Sequence, residues 1–285
     1  MNAPDFEHLF RLAGVTGRIY AADLDTGHDV GLGADDPVPT ASIFKVPLLV
    51  AFCRQADAGL LDPTERVTVT ADDRVPGPTG ISMMLDDVTI SLRDLAYLMM
   101  AVSDNSSADK LLARVGFDAV DAMLKSFGLA ETRVTQSARE MHESMRADTG
   151  HGWPYVDPAD IARLTALDPA IANRSTPRET ARLFGLIWRD EAASSESCAW
   201  MRAVLNAQVW PHRLASGFPY DDVAVSGKTG TIPTLRCEAG VVEYPDGARY
   251  AVSVFTHSFG TALNQPRADA VIGTAARMAV DHLRR

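Results

Sequence analysis

Cysteine is scarce in this chain of 285 residues, and the three present, Cys53, Cys198 and Cys237, have no metal-like spacing. An odd count at such intervals implies no disulfide framework and no metal site. Cys53 falls in an apolar helical run and Cys237 in a strand-like one, where a thiol behaves as a small buried hydrophobe. Positive charge is also in short supply, because 27 Lys and Arg face 37 Asp and Glu, for a formal net charge of −10. That balance argues against nucleic acid and anionic membrane as partners and otherwise describes a well-solvated surface. No stretch is long and apolar enough to span a bilayer. Met1 to Phe10 lacks a basic segment followed by an apolar run, so the chain as written reads as cytoplasmic, and as extracytoplasmic only if an export signal has been removed. Internal repeats, low-complexity tracts and flexible linkers are missing. One large domain, or two intimately packed parts with a substantial core, is the expectation, as a monomer.

What is present reads as a regular order of elements. Phe6 to Ala13 is helical, and Gly17 to Leu24 alternates, turns at Asp25-Thr26-Gly27 and returns over His28 to Leu32 as a hairpin. Asp35-Asp36-Pro37-Val38-Pro39 breaks regular structure, after which a helix opens at Ser42 and ends at Gly59. Asp62 to Asp87 is short strands and turns with a loop at Pro76-Gly77-Pro78-Thr79-Gly80. Helical patterns fill Leu92 to Leu129, including Ala108 to Val115 and Asp118 to Phe127, which Gly128 caps. Glu131 to Pro177, containing Gly150, Gly152, Pro154, Pro158 and Pro169, is the least regular stretch and reads as a long functional loop. Helices follow at Thr180 to Trp188 and Ser197 to Gln208. Strands come next at Val223 to Val225, Glu238 to Glu243 and Tyr250 to Thr256, with an Asp246-Gly247 turn between the last two, and an amphipathic helix runs from Arg267 to Leu283. Strands at both ends with helices between predict an α/β (α+β) fold, an antiparallel sheet flanked by helices and built from both chain ends with an all-helical subdomain inserted. Residues 1–36 and 187–285 would form the sheet part. Residues 37–186 would form the helical part, with a site-covering loop at about 131–176.

Reactive chemistry centres on Thr40-Ala41-Ser42-Ile43-Phe44-Lys45. A serine and a lysine three residues apart at the start of an apolar helical run share one side of the first turn, so the amine can reach the hydroxyl. Serine attacks weakly until an adjacent base, or a lysine of lowered pKa, activates it. Two further motifs follow in order. Ser103-Asp104-Asn105 succeeds the helical run Leu92 to Met100, and Lys228-Thr229-Gly230-Thr231 succeeds Val223-Ala224-Val225. Each alone fits an ordinary cap, turn or strand end. Together they are the Ser-x-x-Lys, Ser-Asp-Asn and Lys-Thr-Gly set, and the chain resembles the class A β-lactamase and penicillin-binding-protein-like family of serine hydrolases from about Gly17 to the last helix.

The resemblance implies an acyl-enzyme mechanism with no cofactor and no metal. Ser42 would be the acylated nucleophile, Lys45 its base or proton relay, Ser103 the shuttle towards the leaving nitrogen, and Lys228 the cation that holds Ser103 in position. Asn105 would hydrogen-bond the substrate amide, and the backbone N–H groups of Ser42 and Thr231 would form the oxyanion hole. A small anionic substrate, a β-lactam, amide or ester, would lie along Thr229, Gly230 and Thr231 with its carboxylate on Arg236 or Arg213. The chain departs from the family in one place. The Glu-x-x-Leu-Asn pattern whose glutamate activates water for deacylation is missing, and among Glu140, Glu143, Asp157 and Asp160, counting back from Pro177 favours Asp160. Three readings stay open: a β-lactam hydrolase with slow deacylation, an esterase, acyltransferase or peptidase, and a sensor module acylated once.

Overall fold

A computed structural model of the chain describes residues 4–151 and 156–285, so Gly152 and Pro154 of the expected loop lie outside the described residues. Helix α1 (Phe6–Ala13) is capped by the Asp5 carboxylate, and left-handed Gly14 turns it into β1 (Val15–Asp23), which pairs with β2 (Asp29–Leu32). A two-residue strand, β3 (Val38–Pro39), leads into a single 3₁₀ turn, Ala41–Phe44, and then into α2 (Lys45–Asp57). The short strands β4 (Arg66–Val69) and β5 (Val88–Ser91) pair and bracket the loop that includes Pro76 to Gly80. Helices α3 (Leu92–Ala101), α4 (Asn105–Val115), α5 (Phe117–Ser126) and α6 (Ala138–Thr149) follow, then 3₁₀ turns at Pro158–Arg163 and Thr165–Leu167. The remaining elements are β6 (Arg174–Ser175), α7 (Pro177–Trp188), α8 (Ser195–Asn206), β7 (Ala224–Ile232), β8 (Leu235–Glu243), β9 (Arg249–Ser258) and α9 (Pro266–Leu283).

The main sheet is antiparallel in the order β2-β1-β9-β8-β7, so the two ends of the chain meet at its centre, where Val15 pairs with Ser258 and Asp23 with Tyr250. Side chains alternate between its faces. Tyr250, Val252 and Val254 of β9 pack with Phe6 and Phe10 of α1 and Ile272, Ala276 and Val280 of α9. Ala251 and Phe255 point the other way, into a core shared with Phe184 and Ile187 of α7 and with the helical layer around Leu48, Met99 and Leu111. Strands covered on both faces read as nearly continuous apolar runs, which is why β8 and β9 show little polar alternation. Helix α2 is buried over every residue from Lys45 to Cys53. A helix apolar on all sides belongs at the centre, and this one carries the lysine of the first motif there.

The observed bounds differ from the expected ones at three places. The stretch at 131–176 is not one open loop, because α6 occupies twelve of its residues. Ser137 and Glu140 form a capping box, with Glu140 N donating to Ser137 Oγ at 3.2 Å and Ser137 N to Glu140 Oε2 at 2.7 Å. Asp109 of α4 accepts the next two helix N–H groups, from Ala138 and Arg139, at 2.7 and 2.9 Å. Strand β7 likewise continues through the Lys-Thr-Gly motif to Ile232, since β8 pairs with it along its whole length. Pairing there overrides the weak strand propensity of Gly and Lys. The boundary anticipated at 186/187 falls inside α7, which packs on β1, β8 and β9. Among the described residues no helix is long and apolar enough to cross a membrane.

Candidate active site

Ser42 is half-buried on the 3₁₀ turn, between fully buried Ala41 and Ile43. Ala41 takes φ 43°, a left-handed conformation that strains a residue with a Cβ by about 1–3 kcal/mol and persists where the surroundings impose it. Those surroundings begin with Thr40, whose N–H and Oγ1 both donate to Asn173 O, at 2.9 and 3.1 Å. Strand β7 presses on the same turn. A Cβ placed on Gly230 would lie 2.6 Å from Cys237 Sγ and 2.8 Å from Thr40 O, so only glycine permits this approach. As an edge strand, β7 directs alternate N–H groups away from β8. Thr229 N–H points outward and donates to Gln208 Oε1 at 2.6 Å, so Thr231 N–H, two residues on, points out from the same edge. The N–H of Ser42 lies in a first helical turn, where intrahelical partners are lacking.

Two buried amines converge on Ser103. Lys45 Nζ donates to Ser103 O and Asn105 Oδ1, both at 2.7 Å, and to Ser103 Oγ at 3.3 Å. Lys228 Nζ donates to Ser103 Oγ and Thr229 O, both at 2.9 Å. Burial pushes the Lys45 amine down to about 8 against the opposing pull of Asp104 and Asp109. Burial, and then the charge of Lys45, holds Lys228 well below the ordinary lysine range. Ser103 itself has φ 59° in the link between α3 and α4, a second strained residue at the site. That kink is fixed by Asp104, a fully buried side chain that sequence reasoning passed over. Its carboxylate accepts Ile81 N at 3.0 Å, Ser82 Oγ at 2.8 Å and Ser107 Oγ at 2.5 Å, tying the Pro76–Gly80 loop and the following turn to α4.

These groups open onto a cavity of about 240 Å³. Of the residues singled out from sequence, Ser42, Ser103, Asn105, Thr229, Thr231 and Arg213 line it; Lys45 and Lys228 stand behind Ser103, and Gly230 forms the contact with the turn. Arg213 Nη2 donates to Thr231 Oγ1 at 2.8 Å, while Nη1 donates to the carbonyls of Gly230 and Cys237 and Nε to Asp269 at 2.7 Å. Arg236 is not at the cavity. It is spent on the carbonyls of Ile232, Leu235, Ala262 and Leu263, at 2.9–3.2 Å, because its position on β8 directs it under the loop before α9. Asp160 is also not brought to the site. It pairs with Arg163 at 3.0 Å within a 3₁₀ turn and does not line the cavity. Glu140 is the capping-box residue, Asp157 caps the 3₁₀ turn, and Glu143 is exposed, so none of the acidic candidates lines the cavity. In their stead α6 contributes Met141, His142 and Met145, and Trp210 and His212 complete the wall. Sequence reasoning missed all five, although the spacing of Ala138, Met141 and Met145 after a Ser-x-x-Glu start marks a helix with one inward face.

A buried amine of lowered pKa bonded to a serine hydroxyl can move protons, a serine on a strained turn can attack, and the cavity wall offers neither thiol nor carboxylate among the described residues to do either task. With this fold, that chemistry is a serine hydrolase working through an acyl-enzyme. The chain belongs to the β-lactamase enzyme family, whose model matches residues 3–283. It is 33% identical to the β-lactamase regulatory protein BlaB of Streptomyces cacaoi, over 95% of this chain and 94% of that one. It is 26% identical to a β-lactamase of Streptomyces albus G, over 96% and 82%. The crystal structure of a β-lactamase from Sphaerobacter thermophilus shares the fold with a TM-score of 0.81 at 25% identity, over 97% of this chain and 96% of that one.

Proposed function

We propose that the protein opens anionic β-lactams by forming an ester on Ser42 and hydrolyses that ester slowly. The observation that carries the reading is the cavity wall itself: Ser103 Oγ lies between two buried amines in the cavity that Ser42 also lines, and no carboxylate lines the wall among the described residues. Lys45, lowered to about 8, supplies neutral amine near neutral pH and takes the Ser42 proton through Ser103 Oγ as the serine attacks the lactam carbonyl. The oxygen that gains charge is received by the N–H groups of Ser42 and Thr231, each such donor typically being worth about 10²–10³ in rate. Ser103 then passes the proton to the lactam nitrogen as the ring C–N bond breaks, with Lys228 holding its hydroxyl in line. Asn105 binds the side-chain amide of the substrate, and Arg213 with Thr229 and Thr231 receives its carboxylate.

A second reading, stoichiometric acylation in a sensing role, draws support from the regulatory name of the Streptomyces cacaoi relative and from the same carboxylate-free wall. A chromogenic β-lactam followed by absorbance and intact mass separates the two. Repeated colour release with a transient mass increase on Ser42 supports the hydrolase. A single equivalent of colour with a lasting adduct supports the sensor, and no adduct, or one that survives Ser42→Ala, overturns both.

A further inference from the structure

The inner face of α6 brings His142 to the cavity, and its surroundings fix how its ring is used. Asn105 Oδ1 must face Lys45 Nζ, 2.7 Å away, because an ammonium only donates. The amide nitrogen is thereby turned the other way, where it meets Pro76 O at 2.7 Å and His142 Nε2 at 3.3 Å. An amide N–H donates and never accepts, so His142 Nε2 presents its lone pair and the ring proton sits on Nδ1. The imidazole is therefore a free base held at the cavity wall that Ser42 also lines. The capping box and Asp109 anchor the helix that carries it, so its position does not depend on the loop beyond.

We propose that His142 is the base that activates water to hydrolyse the Ser42 ester. This rests on the acyl-enzyme reading above and names the group that ends it. Water attacks the ester carbonyl while Nε2 takes its proton; the C–O bond to Ser42 breaks as Lys45, charged, donates to the departing oxygen through Ser103. The acid leaves, the imidazolium releases its proton to solvent, and Lys45 regains one from solvent. Desolvation, then the charge of Lys45, pushes the imidazole down to about 4, which keeps it neutral near pH 7 and gives it about the proton affinity of a carboxylate. The charged groups on α6 and the elements packed against it are Asp109, Lys110 and Arg114 of α4, the Asp160–Arg163 pair, and Arg139, Glu140, Glu143, Arg146 and Asp148 of α6 itself, with Lys45 of α2 acting on the ring from behind Asn105. Before it can act, Nε2 must exchange the Asn105 N–H for water, which is consistent with slow deacylation.

Stopped-flow measurement of the burst and of the decay of the intact-mass adduct, with a chromogenic β-lactam, tests the assignment in the full chain. His142→Gln keeps an oxygen able to accept from Asn105 but is not a base. Its decay should slow by about 10²–10⁴ while the burst rate stays within a few-fold, and His142→Glu should recover much of the decay. Acid jumps on the preformed adduct should show decay falling away near pH 4 in the wild type and lacking that limb in His142→Gln. Unchanged decay in His142→Gln overturns the proposal. So does an equal loss of burst and decay, which would make His142 a support for Asn105 alone. A wild type without any burst would instead overturn the acyl-enzyme reading on which the proposal rests.

Discussion

Gly230→Ala should separate the contribution of one close contact from the rest of the site. The new methyl carbon would sit 2.6 Å from Cys237 Sγ, 2.8 Å from Thr40 O and 3.2 Å from Ala41 Cβ. Ordinary contacts of this kind need about 3.5–4 Å, so β7 and the turn carrying Ser42 must part by roughly half an ångström or more. Thr40 O is backbone, fixed by the bonds of Thr40 to Asn173, and cannot swing aside as a side chain would. Overpacking of this sort costs about 1–3 kcal/mol, and a domain of this size loses about 2–4 °C of Tm per kcal/mol. The larger effect falls on rate. Parting the two segments pulls the N–H of Thr231 from that of Ser42, and such misplacement costs about 10²-fold in the acylation step. Thermal unfolding and stopped-flow acylation by a chromogenic β-lactam read the two quantities. Adding Cys237→Ala removes the sulfur contact and leaves that with Thr40 O, so the double variant should recover part of the Tm and little of the rate. Acylation by Gly230→Ala within about threefold of the wild type would refute the argument that this glycine sets the spacing.

Arg213→Ala should lose activity on an anionic β-lactam while changing little on its methyl ester; Arg236→Ala should lower Tm, by stranding the buried carbonyls of Ile232 and Leu235, and affect both substrates alike. Equal losses on acid and ester for Arg213→Ala in kinetic assays would count against carboxylate recognition there. Acylation requires neutral Lys45, so its rate should climb with pH and level off above about 8; a flat profile between pH 6 and 9 would remove Lys45 from the base role.

How far residues could be read from sequence depended on whether their surroundings were local. Ser42, Lys45, Ser103, Asn105 and Lys228 were legible because three short motifs in order carry their own spacing, and the hairpin at Asp25-Thr26-Gly27 because turn chemistry is local. Arg213 and Arg236 could not be told apart. Both lie near β7 in sequence, but only the direction of the β8 side chains and the loop at 262–263 decides which guanidinium is used up on carbonyls. Helix α6 was hidden by the glycines and prolines that follow it, although Ser137 and Glu140 announce its start. His142 could be found only through α6, since a lone histidine gains meaning from Asn105, 37 residues away in the chain. Asp104 carried the right motif but no hint that it braces a loop more than twenty residues upstream.

The placement of β1 between β2 and β9 has a consequence for how the chain folds on synthesis. The first strand can pair with β2 at once, but its other edge stays open until the last strand emerges, and α1 waits in the same way for α9. A hairpin alone is marginal in water, so the sheet gains its stability late and from contacts that span nearly the whole chain. Such long-range closure is slow, and it leaves an unpaired apolar edge exposed while it lasts. Ser42 rides on a turn braced by β7, so the proposed nucleophile too is assembled only in the final stage, after the helical layer has had time to form around α2.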